Sequence, residues 1–158
     1  MSIVFARVDD RLIHGQIVQA WLPQLNVDEV VIPCTKTNRE HLNSGLLRLS
    51  LPYEYELTIL EVEKVAGYIA KFPQKRLFLL LSCLQDVADA ITNAVPLRSV
   101  NIGGMHFKEG AQKLADHVFL DTQDRRLLKL VRDLGIAIET RAVPNDTSLS
   151  VSEVLHER

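Results

Sequence analysis

The sequence predicts an α/β protein: a single domain whose open, mostly parallel β-sheet of about seven strands carries helices on both faces. Three observations predict it. Short apolar runs alternate along the chain with longer segments whose apolar residues recur at helical spacing. One run, Leu77-Phe78-Leu79-Leu80-Leu81, is too continuous for a strand exposed on one side and suits a parallel strand buried on both faces. The 158 residues, 47% hydrophobic and 24% charged, suffice for one real core and have the balance of an ordinary soluble chain.

Taken in order, Ile3 to Val8 is the first strand. The helix after His14 carries Ile13, Ile17, Ala20 and Trp21 and is expected to stop at Pro23, which cannot donate an interior helical hydrogen bond. Trp21 is expected to pack beneath that helix. Glu29 to Ile32 reads as a second strand ended by Pro33. Thr37-Asn38-Arg39-Glu40 has the form of a capping box, opening a helix lined by Leu42, Leu46 and Leu49 and closed by Pro52. Tyr55 to Leu60 is the third strand, followed by a helix bearing Val62, Val65, Ala66 and Ile69. Arg76 to Leu81 is the fourth, followed by a helix bearing Leu84, Val87, Ala88, Ile91 and Val95. Ser99 to Ile102 is the fifth strand, ending at Gly103-Gly104, and Val118 to Leu120 is a shorter sixth. Asp121 or Thr122 caps a helix bearing Leu127, Leu128, Val131 and Leu134, with Gly135 as its C-terminal stop. Ile136 to Val143 is the last strand. Residues 145–158 form a polar tail in which Ser150-Val151-Ser152-Glu153 suits the cap of a short helix.

Composition excludes several classes of function. The net charge is −2, without a basic stripe or aromatic interleaving, which argues against a nucleic-acid partner. No apolar run approaches the roughly 20 residues of a membrane span. The N-terminus lacks a basic segment followed by a long apolar one, so no signal peptide is expected. Cys34 and Cys83 make no disulfide framework and lack CxxC spacing, so they read as two buried or half-buried thiols. A cytoplasmic location is the default that follows.

The chemistry is concentrated in Arg7-Val8-Asp9-Asp10-Arg11-Leu12-Ile13-His14-Gly15-Gln16, the turn from first strand to first helix. A connection that only packs rarely needs so much charge. Unpaired N–H groups at a helix start, with the helix dipole behind them, suit a phosphate. Arg11 offers a planar guanidinium for phosphate oxygens. His14 is a nucleophile when neutral, and Gly15 lets a ligand approach the backbone. The competing reading is a purely structural turn: Asp9 or Asp10 caps the helix, Arg11 pairs with either, and His14 faces solvent.

The string Val8-Asp9-Asp10-Arg11-Leu12-Ile13-His14-Gly15-Gln16 closely resembles the phosphorylation loop of IIB components of the mannose/fructose/sorbose family of the bacterial phosphoenolpyruvate-dependent sugar phosphotransferase system. Asn101-Ile102-Gly103-Gly104-Met105, with Phe107-Lys108-Glu109-Gly110 after it, resembles the later glycine loop of that family. The resemblance covers nearly the whole chain. It implies one IIB phosphotransferase domain over residues 1–158, with His14 as the phosphorylated nucleophile and Arg11 steadying the phosphoryl oxygens. Asp10, Gly15, Gln16, Ser82, Gly103 and Gly104 would then lie around the phosphate. The implied partners are a phosphorylated IIA domain as donor, the membrane IIC and IID subunits, and a hexose as acceptor. Homo-oligomerisation is left open. The implied location is cytoplasmic, peripherally associated with the inner-membrane transport complex. No metal or other cofactor is needed for histidine-to-histidine transfer.

Several readings stay open beside the resemblance. Asp9 or Asp10 orients Arg11 or the ring. Gly103-Gly104 is either a tight turn needing positive φ or a loop that lets the backbone approach the phosphoryl group; it is not GxGxxG, so a dinucleotide site is poorly supported. Ser82 either donates to a phosphate oxygen or caps the following helix. His41, His106, His117 and His156 form no i, i+4 pair, and only His106 falls in the glycine loop. The segments Ile32 to Glu40 and Ser82-Cys83-Leu84 depart from the family pattern, which leaves the choice of sugar and partner open. A regulatory phosphohistidine module without sugar transfer is the alternative function, since it needs the same accepting residues.

Overall fold

The computed structural model describes residues 2–151 and Leu155. Its sheet has the order β3-β2-β4-β1-β5-β8-β9. The strands are β1 (Ile3–Asp9), β2 (Glu29–Cys34), β3 (Glu56–Glu61), β4 (Leu77–Leu81), β5 (Ser99–Gly104), β8 (Ala137–Thr140) and β9 (Leu149–Ser150). The first six run parallel, and β9 pairs antiparallel with β8. This is the expected open, mostly parallel α/β sheet. The strand expected at Val118 to Leu120 exists but lies outside it: β6 (Gln112–Ala115) and β7 (Val118–Leu120) form a separate antiparallel hairpin.

Side-chain alternation along the central strands builds two cores. Leu77, Leu79 and Leu81 of β4, with Ala6 and Val8 of β1, face α4 (Val62–Lys71), α5 (Leu84–Thr92) and α6 (Thr122–Asp133). Phe78 and Leu80, with Val30 and Ile32, face the other way, against Leu12, Ile13, Ile17, Trp21, Leu22 and Leu51. Both faces of β4 are sealed, as its unbroken apolar run requires. Val151 and Leu155 are buried in the first core. The remainder of the expected tail cap, Ser152 and Glu153, lies outside the described residues.

Four local expectations need correction. The first helix, α1, is π-helical over Gln16–Trp21 and α-helical over Leu22–Leu25. Pro23 therefore does not end it. It sits inside the continuous helix, at the second residue of the α-helical part, and the helix ends at Asn26, in left-handed conformation. Pro33 lies inside β2. Beyond Val31, β2 pairs with β3 alone, so a proline there takes no ladder bond from β4.

The helix expected from Thr37 to Pro52 is two helices, α2 (Lys36–His41) and α3 (Ser44–Ser50), capped by Thr35 and Asn43 through their side chains. The break at Leu42-Asn43 resets the helical phase, so Leu46 and Leu49 are exposed while Leu51 enters the core. The last strand is shorter than expected because the chain turns at Arg141 into the loop that leads to β9. The α6 stop holds: Gly135 follows the helix at φ +84°.

The connection after β1 runs toward β2 and that after β5 runs toward β8, on opposite sides of the strand pair. A crevice opens where such connections diverge, at the carboxyl ends of β1 and β5. The charged loop after β1 lies there.

The phase of α3 is testable by denaturant unfolding. Leu49→Ser is expected to change stability by less than about 0.5 kcal/mol, whereas Leu51→Ala is expected to lose about 2–4 kcal/mol.

Candidate active site

Phe5, Arg7 and Asp9 alternate on the face of β1 that looks toward α1, and Phe5 stacks on Trp21 with ring centroids 4.5 Å apart. Arg7 and Asp9 are both fully buried, 0% exposed, and pair at 3.0 Å. A charge without water needs every polar contact it can make. Arg7 donates through Nη1 to Asn101 Oδ1 at 2.7 Å and to the Arg141 carbonyl at 2.9 Å. Through Nη2 it donates to Asp9, and to Gln16 Oε1 at 3.4 Å. Its guanidinium lies 5.4 Å from the Trp21 ring centre, and Trp21 Nε1 donates to the Ala142 carbonyl at 2.9 Å. Asn101 Nδ2 in turn donates to Glu139 at 2.9 Å.

Asp9 is the hub. Its Oδ2 takes His14 Nε2 at 2.7 Å as well as Arg7. Its Oδ1 takes the Arg11 amide at 3.1 Å and Arg11 Nε at 3.4 Å. Burial alone would push the Asp9 carboxyl up. The His14 hydrogen bond and the Arg7 charge outweigh it and hold the group at about 2. An ionised carboxylate only accepts, so the His14 proton that meets it sits on Nε2. Nδ1 accepts from the Gln16 amide at the start of α1, 3.4 Å away.

Arg11 stands at the rim, its side chain 39% exposed. Nη2 donates to Gln16 Oε1 at 3.0 Å, while Nη1 makes no hydrogen bond among the described residues. The loop that carries these groups turns through Leu12, whose amide bonds the Asp9 carbonyl at 3.0 Å and whose φ is +57°. A non-glycine residue there is strained. Burial of the Leu12 side chain in the core offsets the strain and pins the turn.

The glycine pair is neither a turn nor at positive φ. Both residues belong to β5, beside β1. A Cβ at Gly103 would fall within the Arg7 guanidinium, and one at Gly104 would lie 3.0 Å from Asp9 Oδ1. The glycines are there to make room for the buried ion pair. Gly15 has ordinary helical angles and open space where a Cβ would point.

Of the two aspartates, Asp9 is the one that holds the ring and Arg11. Asp10 is tied to the second loop: its amide bonds the Gly104 carbonyl at 3.0 Å, and its carboxylate takes the His106 amide at 2.7 Å and His106 Nδ1 at 2.5 Å. Arg11, Gln16, Gly104, His106, His117 and Phe119 line a cavity of about 360 Å³. Ser82 is not in it. Its hydroxyl donates to Asp86 at 2.7 Å, and Cys83, not Ser82, stands at the N-cap of α5. Ser82 opens instead on a smaller groove with Asp10, Cys83 and His106. Cys34 is buried, Cys83 is half-buried, and burial pushes both thiols up.

Sequence reading missed Arg7, Asn101 as its partner, and His117. The signal for the first two was present: a charged and an amide side chain inside apolar strands that pack on both faces must find each other. His117 carries no such signal; burial, then the nearby Arg7 charge, pulls its imidazole down.

The model of the family described as PTS system sorbose subfamily IIB component matches residues 3–158. The chain belongs to this family of phosphotransferase-system IIB components. It is 32% identical over 159 residues to the sorbose-specific EIIB component of Lacticaseibacillus casei, covering 99% of this chain and 97% of that protein. It is 29% identical to the mannose-specific EIIAB component of Escherichia coli K12, covering 98% of this chain but 49% of that longer one. The crystal structure of the IIBSor domain of the Klebsiella pneumoniae sorbose permease superposes with a TM-score of 0.90 at 28% identity, covering 99% and 98% of the two chains. As a family member, this IIB protein is a phosphotransferase of sugar uptake. No helix among its described residues is long and apolar enough to cross a membrane.

Gly103→Ala is expected to destabilise this IIB protein by about 3 kcal/mol or more, since it must displace a buried charge. Gly104→Ala is expected to cost less, because the Asp9 carboxylate needs to shift by only tenths of an ångström. Denaturant midpoints of the two variants check the order.

Acid is expected to act through Asp9. Its folded-state value lies below the ordinary 3.8, so its stabilisation is complete above about pH 4 and is lost as pH falls through about 2. Asp121, held at about 2 by Lys108, acts in the same window. Unfolding free energies measured from about pH 5 down to about pH 2 should fall by about 2 kcal/mol for the Asp9 share. That share is read as the part of the slope missing in Asp9→Asn.

Proposed function

We propose that residues 1–158 act as one IIB unit in which His14 receives a phosphoryl group from a phosphohistidine of a IIA domain. The unit then passes the group to a hexose held by membrane IIC and IID subunits. The observation that carries this is the 2.7 Å bond from His14 Nε2 to an Asp9 carboxylate kept ionised in a dry site. It leaves the Nδ1 lone pair as the nucleophile and places a fixed negative charge where the ring becomes cationic.

In the first step Nδ1 attacks phosphorus. The bond from phosphorus to the donor imidazole breaks and its electrons return to that imidazole. The charge of the transferring group is spread over its three oxygens, and the free edge of Arg11 and the Gln16 amide lie where they can steady it. The second step repeats the displacement with a sugar oxygen. His14 keeps 16% of its side chain exposed, and through that opening donor and acceptor must reach it in turn. This reading puts the protein in the cytoplasm, docked transiently at the membrane complex. The curated relatives named for sorbose and mannose suggest hexoses of that class, and the EIIAB relative suggests how near a IIA partner stays.

The test uses purified protein and a phosphorylated IIA domain. Wild type is expected to take up an acid-labile, base-stable label and His14→Ala none. Asp9→Asn, where it folds, is expected to label ~10²–10⁴-fold more slowly. Label retained in His14→Ala would overturn the assignment. Loss of label on adding sugar and IIC/IID membranes is expected for transport; a label stable to every sugar would favour a regulatory module.

A further inference from the structure

The site holds a second histidine–aspartate pair that histidine-to-histidine transfer does not use. Asp10 fixes His106 by two bonds, from the His106 amide at 2.7 Å and from ring Nδ1 at 2.5 Å. The ring proton therefore lies on Nδ1, against an acceptor-only carboxylate, and Nε2 carries the lone pair. The His106 side chain is 62% exposed and lines the same cavity as Arg11 and Gln16. Asp10 is the neighbour of Asp9 in the chain, and its amide is bonded to Gly104, the residue that packs against the Asp9 carboxylate. Two dyads are thus anchored on one short piece of backbone, His14 on Asp9 and His106 on Asp10, with Arg11 beside both.

The two half-reactions differ in their need for a base. Transfer from one imidazole to another moves no proton at the nucleophile, because Nδ1 of His14, an acceptor from the Gln16 amide, carries none. Transfer to a sugar does: the attacking hydroxyl must lose its proton as the oxygen–phosphorus bond forms. Asp9 cannot take it, being buried, saturated with donors and held at about 2. Phe107, 67% exposed and edge-on to Phe119 at 5.7 Å, gives the cavity mouth an apolar surface beside these polar groups, the mixed lining that suits a small polar ligand with an apolar face.

We propose that His106, oriented by Asp10, is the general base that accepts the hydroxyl proton of the sugar during its phosphorylation. This rests on the function proposed above, with His14 as the phosphoryl carrier. The nitrogen–phosphorus bond at His14 breaks and its electrons return to Nδ1. The sugar oxygen–phosphorus bond forms, and the hydroxyl proton passes to His106 Nε2. Asp10 steadies the resulting imidazolium, which gives its proton to water.

The experiment separates the half-reactions. Wild type, His106→Gln and Asp10→Asn are labelled from phospho-IIA. Each is then mixed with IIC/IID membranes and whichever of sorbose, fructose and mannose discharges the wild type. His106→Gln is expected to slow discharge ~10²–10⁴-fold while its labelling rate changes far less. Asp10→Asn is expected to slow discharge by a smaller factor. A purely structural role would slow both halves together and would overturn the proposal. Discharge of His106→Gln at the wild-type rate would overturn it too, and would assign the base to the membrane subunits. A wild-type label that no sugar discharges would overturn the sugar step itself and this proposal with it. Absence of label on the wild type would instead strike at His14 as the carrier.

Discussion

A buried pair of opposite charges organises this molecule. Arg7 and Asp9 leave water together, and neither can do so alone, since an unpaired charge in such a place costs several kcal/mol. Their burial dictates much of what surrounds them. Asn101, the Arg141 carbonyl and Gln16 accept from the Arg7 Nη atoms beside Asp9, while buried Nε has no partner among the described residues, and β5 carries glycine at 103, where a Cβ would fall within the guanidinium, and at 104, where one would crowd the Asp9 carboxylate. Asp9 has acceptor capacity left after Arg7, and the histidine and arginine of the next loop use it. A pair that looks structural is in this way the origin of the site.

The same burial explains why the carboxylate is useful. In water an aspartate beside an imidazole is screened and free to turn. Here Asp9 has one orientation, no solvent and an ionised state that persists through the physiological range. Its field on His14 is fixed in direction, so the proposed transfer would need no reorganisation there. Arg11 is the complementary case. It is tethered at one edge to Asp9 and Gln16 but still half in solvent, so an arriving anionic group need not strip it of water completely. The strained Leu12 backbone is what turns His14 back onto the carboxylate that Arg7 already pairs with, and the core, through the buried Leu12 side chain, holds it there.

The fold class, every described strand except β6 and β9, and the position of the charged loop were legible in the sequence, because apolar periodicity and a rare cluster of charges are local signals. What misled were features whose meaning is tertiary. Pro33 reads as a strand end until β2 is known to have left β4 by that point. Leu42, Leu46 and Leu49 read as one helical face until Asn43 is seen to restart the helix. Gly103 and Gly104 read as a turn because glycine is usually there for its backbone freedom; here it is there for its missing side chain. Arg7 was hidden inside an apolar strand because strand patterns are read by what is hydrophobic in them, while the strongest constraint in β1 is its one buried cation.

The partition of labour between the two aspartates follows from one step along the chain. In β1 successive side chains point to opposite faces, so Asp9 must lie with Arg7 and under α1. Asp10 is the first residue past the strand and escapes that alternation. It turns to the exposed side and takes His106 from the loop after β5. A carboxylate at the strand end is therefore buried and fixed, suited to holding the His14 ring in one orientation. The next is partly exposed, which suits the proposed base, a His106 that would give up and regain a proton with every turnover. Neither role would survive an exchange of environments. On the roles proposed above, a solvated Asp9 would release its ring, and a buried Asp10 would leave a protonated base no path to water.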